Sequence, residues 1–256
     1  MPELMQVEQM PVAIYESNVA LGRAAAADFA DIVKRAVIER GAAAVILATG
    51  NSQLTFIGAL HEHPDIPWNK VSVFHMDEYL GMSEQHPASF RRFLREKVAD
   101  VYHPRAMIGM RGDTTDVEAE LARYTALLEE HKPDLCVLGI GENGHLAFND
   151  PPADFQTSKT IHVVTLDELC RRQQVGEGHF ATLDDVPKQA LSLTVPALLK
   201  PPRVMAIVPE ARKANAVRAA LRGPVTDSCP ASILRTQAHA KLYLDADSAA
   251  LVRNTG

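Results

Sequence analysis

Residues 134–154, DLCVLGIGENGHLAFNDPPAD, restrict the chain to few folds. The apolar run Leu135-Cys136-Val137-Leu138 has the length and composition of a strand buried on both faces, as in parallel sheets. It breaks into Gly139-Ile140-Gly141-Glu142-Asn143-Gly144, whose glycines permit tight turns and close approach of a ligand. His145, Asn149 and Asp150 follow, and Pro151-Pro152 bars a continuing helix. A buried strand that stops in glycines and then presents an imidazole and a carboxylate fits the ligand-bearing edge of an open α/β sheet.

The rest of the chain repeats this alternation. Strands are expected at residues 12–15, 43–48, 71–75, 159–166, 204–208 and 241–244. Ser17 stands as N-cap of a helix that Gly41 closes. Further helices are expected at 54–61, at 90–99, after a capping box formed by Thr115 and Glu118, at 211–222 before Gly223-Pro224, and from Pro230. Arg91, Arg92, Arg95 and Lys97 in the 90–99 helix read as a solvated basic face. No repeat or biased linker divides the chain, so residues 1–256 are expected to form one α/β domain.

At 256 residues the chain is long enough for a substantial core, and 46% hydrophobic with 23% charged residues is ordinary for a soluble protein. A net charge of −6 argues against a nucleic-acid binder, which needs a basic face. An anionic ligand would therefore be held by local cations and backbone N–H groups. No stretch is long and apolar enough to span a membrane, and the first residues lack the pattern of a signal peptide. Cys136, Cys170 and Cys229 are odd in number and lack C-x-x-C spacing, the pattern of reduced thiols without a zinc cage. The expected compartment is the cytoplasm.

Gly139, Gly141 and Gly144 satisfy G-x-G-x-x-G, but that fingerprint needs a helix opening at the glycines to carry a pyrophosphate. The double proline leaves too little chain for one, so no dinucleotide cofactor is expected. A turn without chemistry is the alternative, and a histidine immediately after it argues the other way. Thr49-Gly50-Asn51-Ser52-Gln53 places small and hydroxyl residues after a buried strand, which suits a phosphate; a plain βα turn capped by Ser52 is the other reading. Asp77 and Glu78 end the strand at 71–75, either as catalytic bases or as loop caps. Lys213 falls in the first turn of its helix, where a cation opposes the dipole unless it serves an anion. Residues 167–178 are polar with two glycines and offer Arg171 and Arg172 as cations in a segment able to move over the site.

Segments TGNSQ, FHMDEYLGMSEQHPASF and GIGENGHLAFNDP, in that order, resemble the glucosamine-6-phosphate deaminase (isomerase) family. VPKQALSLTVPALL, the helix with Lys213, and CPASIL match it more loosely. The resemblance implies a modified Rossmann-like α/β fold: an open, mostly parallel sheet with helices on both faces. It implies conversion of an amino-sugar phosphate to a ketose phosphate plus ammonia, with no metal or cofactor. Asp77 would move the proton between C2 and C1 of the open-chain sugar. His145 would open the pyranose ring, supported by Asn143 and Asp150. Thr49, Gly50, Asn51, Ser52 and Lys213 would hold the phosphate and hydroxyls, with Arg172 as a further cation.

The chain departs from that family at several points. Asp150 is a methylene shorter than the usual glutamate, Asn143 replaces a frequent aspartate, and Asn51-Ser52-Gln53 stands where Gly-Thr-Pro is common. Ala153, Thr160 and His162 occupy positions that carry basic residues of an allosteric phosphate site in some members, so activation by N-acetylglucosamine 6-phosphate is not expected. The related 6-phosphogluconolactonases continue the glycine turn as A-S-L-F-P and carry D-E-R earlier, whereas LAFND and Asp77-Glu78-Tyr79 favour a deaminase. A sugar-phosphate-binding regulator without catalysis is the remaining alternative. The sugar and a homo-oligomeric state are left open.

Overall fold

A computed structural model of the chain describes residues 1–253. Its first half runs β1 (Glu3–Val7), β2 (Met10–Tyr15), α1 (Asn18–Arg40), β3 (Ala43–Leu47), α2 (Leu54–Ala59), β4 (Val71–His75), β5 (Asp77–Tyr79), α3 (Phe90–Leu94), α4 (Asp100–Tyr102), β6 (Ala106–Ile108) and α5 (Val117–His131). The second half runs β7 (Leu135–Leu138), β8 (Ile161–Thr165), α6 (Glu168–Gly176), β9 (Gln189–Leu193), α7 (Val195–Leu199), β10 (Val204–Val208), α8 (Ala214–Arg222) and β11 (Ala240–Asp245).

Eight strands form the main sheet in the order β1-β2-β11-β10-β7-β3-β4-β6. All neighbours pair in parallel except β1 with β2. From β3 the chain walks outward through β4 to β6, and from β7 it walks the other way through β10 to β11. The crevice at the carboxyl ends of β3 and β7 is therefore the switch point where open α/β sheets bind ligands.

Strand periodicity divides the core. In β3, Ala44 and Ile46 pack with Tyr124 and Leu128 of α5 and with Val217 and Leu221 of α8. Val45 and Leu47 face the other way, onto Leu21, Phe29 and Val33 of α1 and Phe56 of α2. Each such fully buried side chain stabilises the fold by roughly 1.5–3 kcal/mol. Burial on both faces is why these strands read as continuous apolar runs. α1 has the expected ends: Ser17 Oγ accepts from the Ala20 amide at 3.2 Å, and Gly41, at φ 80°, donates to Val37 O at 2.9 Å.

Three local expectations are corrected. Asp116, not Thr115, caps α5: its carboxylate accepts from the Ala119 amide at 3.0 Å, so no Thr115/Glu118 box forms. The 90–99 segment is α-helical only to Leu94 and then takes a π turn over Arg95–Ala99. Arg91 is not part of a solvated face. It is buried, pairs with Asp113 at 3.0 Å and lies 3.5 Å from the wholly buried Glu78.

Several elements were not anticipated: strands β1, β5, β6 and β9, and helix α6 in the polar 167–178 segment. β1 is an exposed edge strand without clear alternation. β5 follows β4 after a single residue, Met76, and joins β9 and β8 in a three-stranded antiparallel sheet. That small sheet carries the end of β4 over the crevice.

Candidate active site

The glycine turn after β7 is shaped around one imidazole. Gly141 donates its amide to His145 O at 3.0 Å, and Gly144, at φ +87°, donates to Gly141 O at 3.0 Å. A Cβ on Gly141 would stand 2.2 Å from His145 Nε2, so any side chain there would displace the ring. No helix opens at these glycines, and the pyrophosphate geometry of a dinucleotide fold is missing among the described residues.

His145 is 8% exposed, and its Nδ1 lies 3.0 Å from Asp150 Oδ1. The aspartate's shorter arm thus reaches the ring. Asn143 Nδ2 donates to the same Asp150 oxygen at 2.9 Å, and Asn143 Oδ1 accepts from the His145 amide at 3.0 Å. The Asp167 amide holds Asp150 Oδ2 at 3.2 Å. Burial pushes the Asp150 carboxyl up, but the His145 contact and charge, Asn143 and that amide outweigh it and hold it below the ordinary range. An ionised Asp150 fixes the Nδ1–H tautomer of a neutral imidazole and leaves Nε2 on the pocket side to exchange a proton.

Asp77 lines the same pocket as His145. Its carboxylate has no hydrogen bond or ion pair among the described residues. Burial, with the nearby Glu78 charge, pushes it up to about 8. Glu78 does not reach the pocket: it accepts from Ser89 Oγ at 2.8 Å and from the Phe90 and Arg91 amides at 3.3 and 3.0 Å, capping α3.

Thr49, Gly50, Ser52 and Lys213 line the same pocket. Gly50 has φ +106°, and Asn51–Gln53 form a short 3-10 turn before α2 without a Ser52 side-chain cap. Lys213 is 3% exposed, has no hydrogen bond or ion pair among the described residues, and is pushed below the ordinary lysine range by burial. A buried, unpaired ammonium beside hydroxyl residues is a seat for an anion.

Thus Asp77, His145, Thr49, Gly50, Ser52 and Lys213 share one pocket, and Asn143 and Asp150 stand behind His145. Asn51 stays outside and donates to Glu177 O at 3.4 Å. Arg172 is also outside: its side chain is 64% exposed and pairs with Glu168 one turn earlier on α6. Gln173, Gln174, Glu177 and His179 line the pocket from α6 and its C-terminal end, as does Phe148 beside the glycine turn. Sequence reasoning named none of them. The i, i+4 spacing of Gln173 and Glu177 was the available signal that α6 turns a polar face inward.

His145, Asp150 and Cys170 place ligand atoms within 4.8 Å of one another, the one group among the described residues with metal-ligand spacing. The Asp150 oxygens are already engaged by His145, Asn143 and the Asp167 amide.

Comparison with known proteins agrees with this geometry. Residues 16–244 match the family model described as glucosamine-6-phosphate isomerases/6-phosphogluconolactonase. A glucosamine-6-phosphate deaminase of Streptococcus pyogenes is 33% identical over 208 residues, 81% of this chain and 87% of that protein. One from Exiguobacterium sibiricum is 35% identical over 213 residues, 80% of each chain. The solved structure of a monomeric glucosamine-6-phosphate deaminase superposes with a TM-score of 0.84 at 30% identity, covering 96% of this chain and 100% of that one. The 6-phosphogluconolactonase of Trypanosoma brucei, at 16% identity and TM-score 0.77 over 98% of this chain and 100% of its own, shares the fold. With the family model matching most of its length and relatives above 30% identity, the chain belongs to the glucosamine-6-phosphate isomerase/6-phosphogluconolactonase family.

Proposed function

We propose that this chain is a glucosamine-6-phosphate deaminase, which converts an amino-sugar 6-phosphate and water to a ketose phosphate and ammonia. One observation carries the reading: Asp77 and His145 line a single pocket together with Thr49, Gly50, Ser52 and the buried Lys213. Anchoring the phosphate on the last four directs the sugar carbons toward the acid and base, and fixed orientation is itself a large part of the rate.

His145, oriented by Asp150, moves protons between the ring oxygen and the anomeric hydroxyl and so exposes the aldehyde. Asp77 takes the proton from C2 and returns one to C1. The nitrogen leaves as ammonia after protonation, because an amide anion is a far poorer leaving group, and water supplies the new carbonyl oxygen. Asn143 acts by orientation alone, since an amide relays no charge. No metal enters this scheme: the oxygens of Asp150 serve the imidazole, Asn143 and the Asp167 amide.

Residues 1–256 act in this reading as one catalytic unit in the cytoplasm, without N-acetylglucosamine 6-phosphate activation. No helix among the described residues is long and apolar enough to cross a membrane. The test is ammonia release across a panel of hexosamine 6-phosphates, beside hydrolysis of 6-phosphogluconolactone, for wild type and Asp77→Asn. Turnover of an amino-sugar phosphate that disappears in the variant is expected. Lactone hydrolysis without ammonia, or binding without turnover, overturns the reading.

A further inference from the structure

A carboxylate already stands in the pocket that the anion-seat residues line. The Glu177 side chain, only 8% exposed, reaches in from the C-terminal end of α6 and lines the pocket with Thr49, Gly50, Ser52 and Lys213. Its Oε2 lies 3.9 Å from where a Cβ on Gly50 would stand. Oε1 accepts from Gln173 Nε2 at 2.8 Å and from Arg212 Nη1 at 2.7 Å, while His179 Nε2 faces Oε2 at 3.4 Å. Among the groups whose charge steadies the Lys213 ammonium, Glu177 is the strongest. Burial would lift the Glu177 carboxyl, but His179, Gln173, Arg212 and Lys213 hold it down to about 2, so it remains charged at any working pH.

We propose, resting on the sugar-phosphate reading, that Glu177 is a tethered competitor of the substrate phosphate. Its carboxylate occupies the space beside Gly50 that would seat the phosphate, acting on the Lys213 charge without pairing with it, and so ties the end of α6 to the pocket. An incoming phosphate dianion takes that seat and releases it. Release leaves no stranded guanidinium, because Arg212 keeps Glu210 at 2.6 Å and Glu142 at 3.6 Å. The loop and α6 are already linked, since Asn51 Nδ2 donates to Glu177 O. A phosphate dianion drawn by the unpaired Lys213 can displace a single carboxylate from this space, and an unphosphorylated sugar cannot, so the device selects phosphorylated over free amino sugars.

The magnitude follows from competition. A seat left free about one-tenth of the time weakens apparent affinity about tenfold. Glu177→Gln keeps the shape and a hydrogen-bonding oxygen but removes the charge. Titration calorimetry with inorganic phosphate at pH 8 is expected to show a Kd about tenfold lower for E177Q than for wild type. KM for glucosamine 6-phosphate should fall by more than kcat changes, and affinity for free glucosamine should not improve. A carboxylate that only holds α6 in place predicts weaker phosphate binding in E177Q; that result, or an unchanged Kd, overturns the proposal. Lys213→Ala, in either background, is expected to abolish the phosphate signal; phosphate binding that survives it places the seat elsewhere and likewise overturns the proposal. Ammonia release by wild type separates the two readings. With turnover intact and the Kd unchanged, only the competitor is lost, whereas absent turnover with no phosphate binding by either protein removes both.

Discussion

Asp77 and Glu78 are consecutive on β5 and therefore point to opposite faces, one into the pocket without a hydrogen bond and the other into the Ser89–Arg91 turn with several. The fold thus gives two adjacent carboxylates different work. Glu78 secures the start of α3, and Asp77 is left dry and unpaired.

Asp77→Asn is expected to abolish ammonia release while raising stability. The folded carboxyl keeps its proton up to about 8, whereas an unfolded aspartate loses it near 3.9. Stability from this group is therefore complete below the unfolded value and is lost as pH rises through the folded one. The asparagine variant escapes that loss. Its Tm advantage should be small at pH 4 and grow to several degrees by pH 8.5, at about 2–4 °C per kcal/mol for a chain this size. Calorimetric scans at both pH values check this, and an advantage that is constant with pH would contradict it.

The same group should shape the pH–rate profile. A base must be ionised to accept a proton, so kcat/KM in the free enzyme is expected to climb through an apparent pKa near 8. Initial rates of ammonia release between pH 6 and 9.5 would show the limb. A profile already flat from pH 6 upward would mean that Asp77 is ionised in the free protein and that burial does not control it.

Glu78→Ala should do the reverse of Asp77→Asn. It takes the wholly buried Glu78 charge away from Arg91, which keeps only the half-exposed Asp113 and Glu84, and removes the acceptor for the Ser89 hydroxyl and the Phe90 and Arg91 amides. Breaking a buried charge pair costs about 3–5 kcal/mol, so the Tm should drop by about 6 °C or more. Chemical denaturation would measure it directly.

The parallel strands were legible because burial on both faces writes them as unbroken apolar runs, and the crevice was legible because glycines and titratable residues crowd the ends of β3, β4 and β7. What escaped was set by tertiary context. β5 is Asp-Glu-Tyr, a composition that signals a loop, and it becomes a strand only because β9 lies beside it. Arg91 reads as solvated until Glu78 and Asp113 enclose it. Lys213, which the fold brings to the pocket, stood out in the sequence because its helix position is unfavourable without an anion. Arg172 was not separable from its neighbours by composition, and the fold turns it to solvent while bringing Glu177 and His179 inward.

Gly141→Ala tests how tightly the turn holds the imidazole. The added Cβ would lie 2.2–2.4 Å from the Nε2, Cε1 and Cδ2 atoms of His145, and ring atoms cannot absorb such an overlap as a flexible side-chain end could. The ring must swing away from Asp150 or the turn must open. A fall in kcat of about 10²-fold or more is expected, since misplacing a reacting group by about 1 Å costs that much. Thermal stability should fall much less than after Glu78→Ala, which separates local misplacement from unfolding.

Asp150 makes the last test, because the family comparison and the geometry point in different directions. A shorter arm than glutamate implies a poorly held histidine, yet Asp150 Oδ1 already stands 3.0 Å from His145 Nδ1. Lengthening the side chain should therefore bring no gain: Asp150→Glu is expected to show kcat at or below wild type, as the extra methylene pushes against Asn143 and the start of α6. Asp150→Asn should cost about 10²- to 10⁴-fold in kcat, since an amide no longer enforces the Nδ1–H tautomer or steadies an imidazolium. Because the folded carboxyl is held below its ordinary range, its stabilising contribution is present above the unfolded pKa and disappears as pH falls through the folded one. Asp150→Asn should then lower Tm at pH 7 and approach wild type in acid. An Asp150→Glu variant that turned over faster than wild type would show that the observed contact is not the working one.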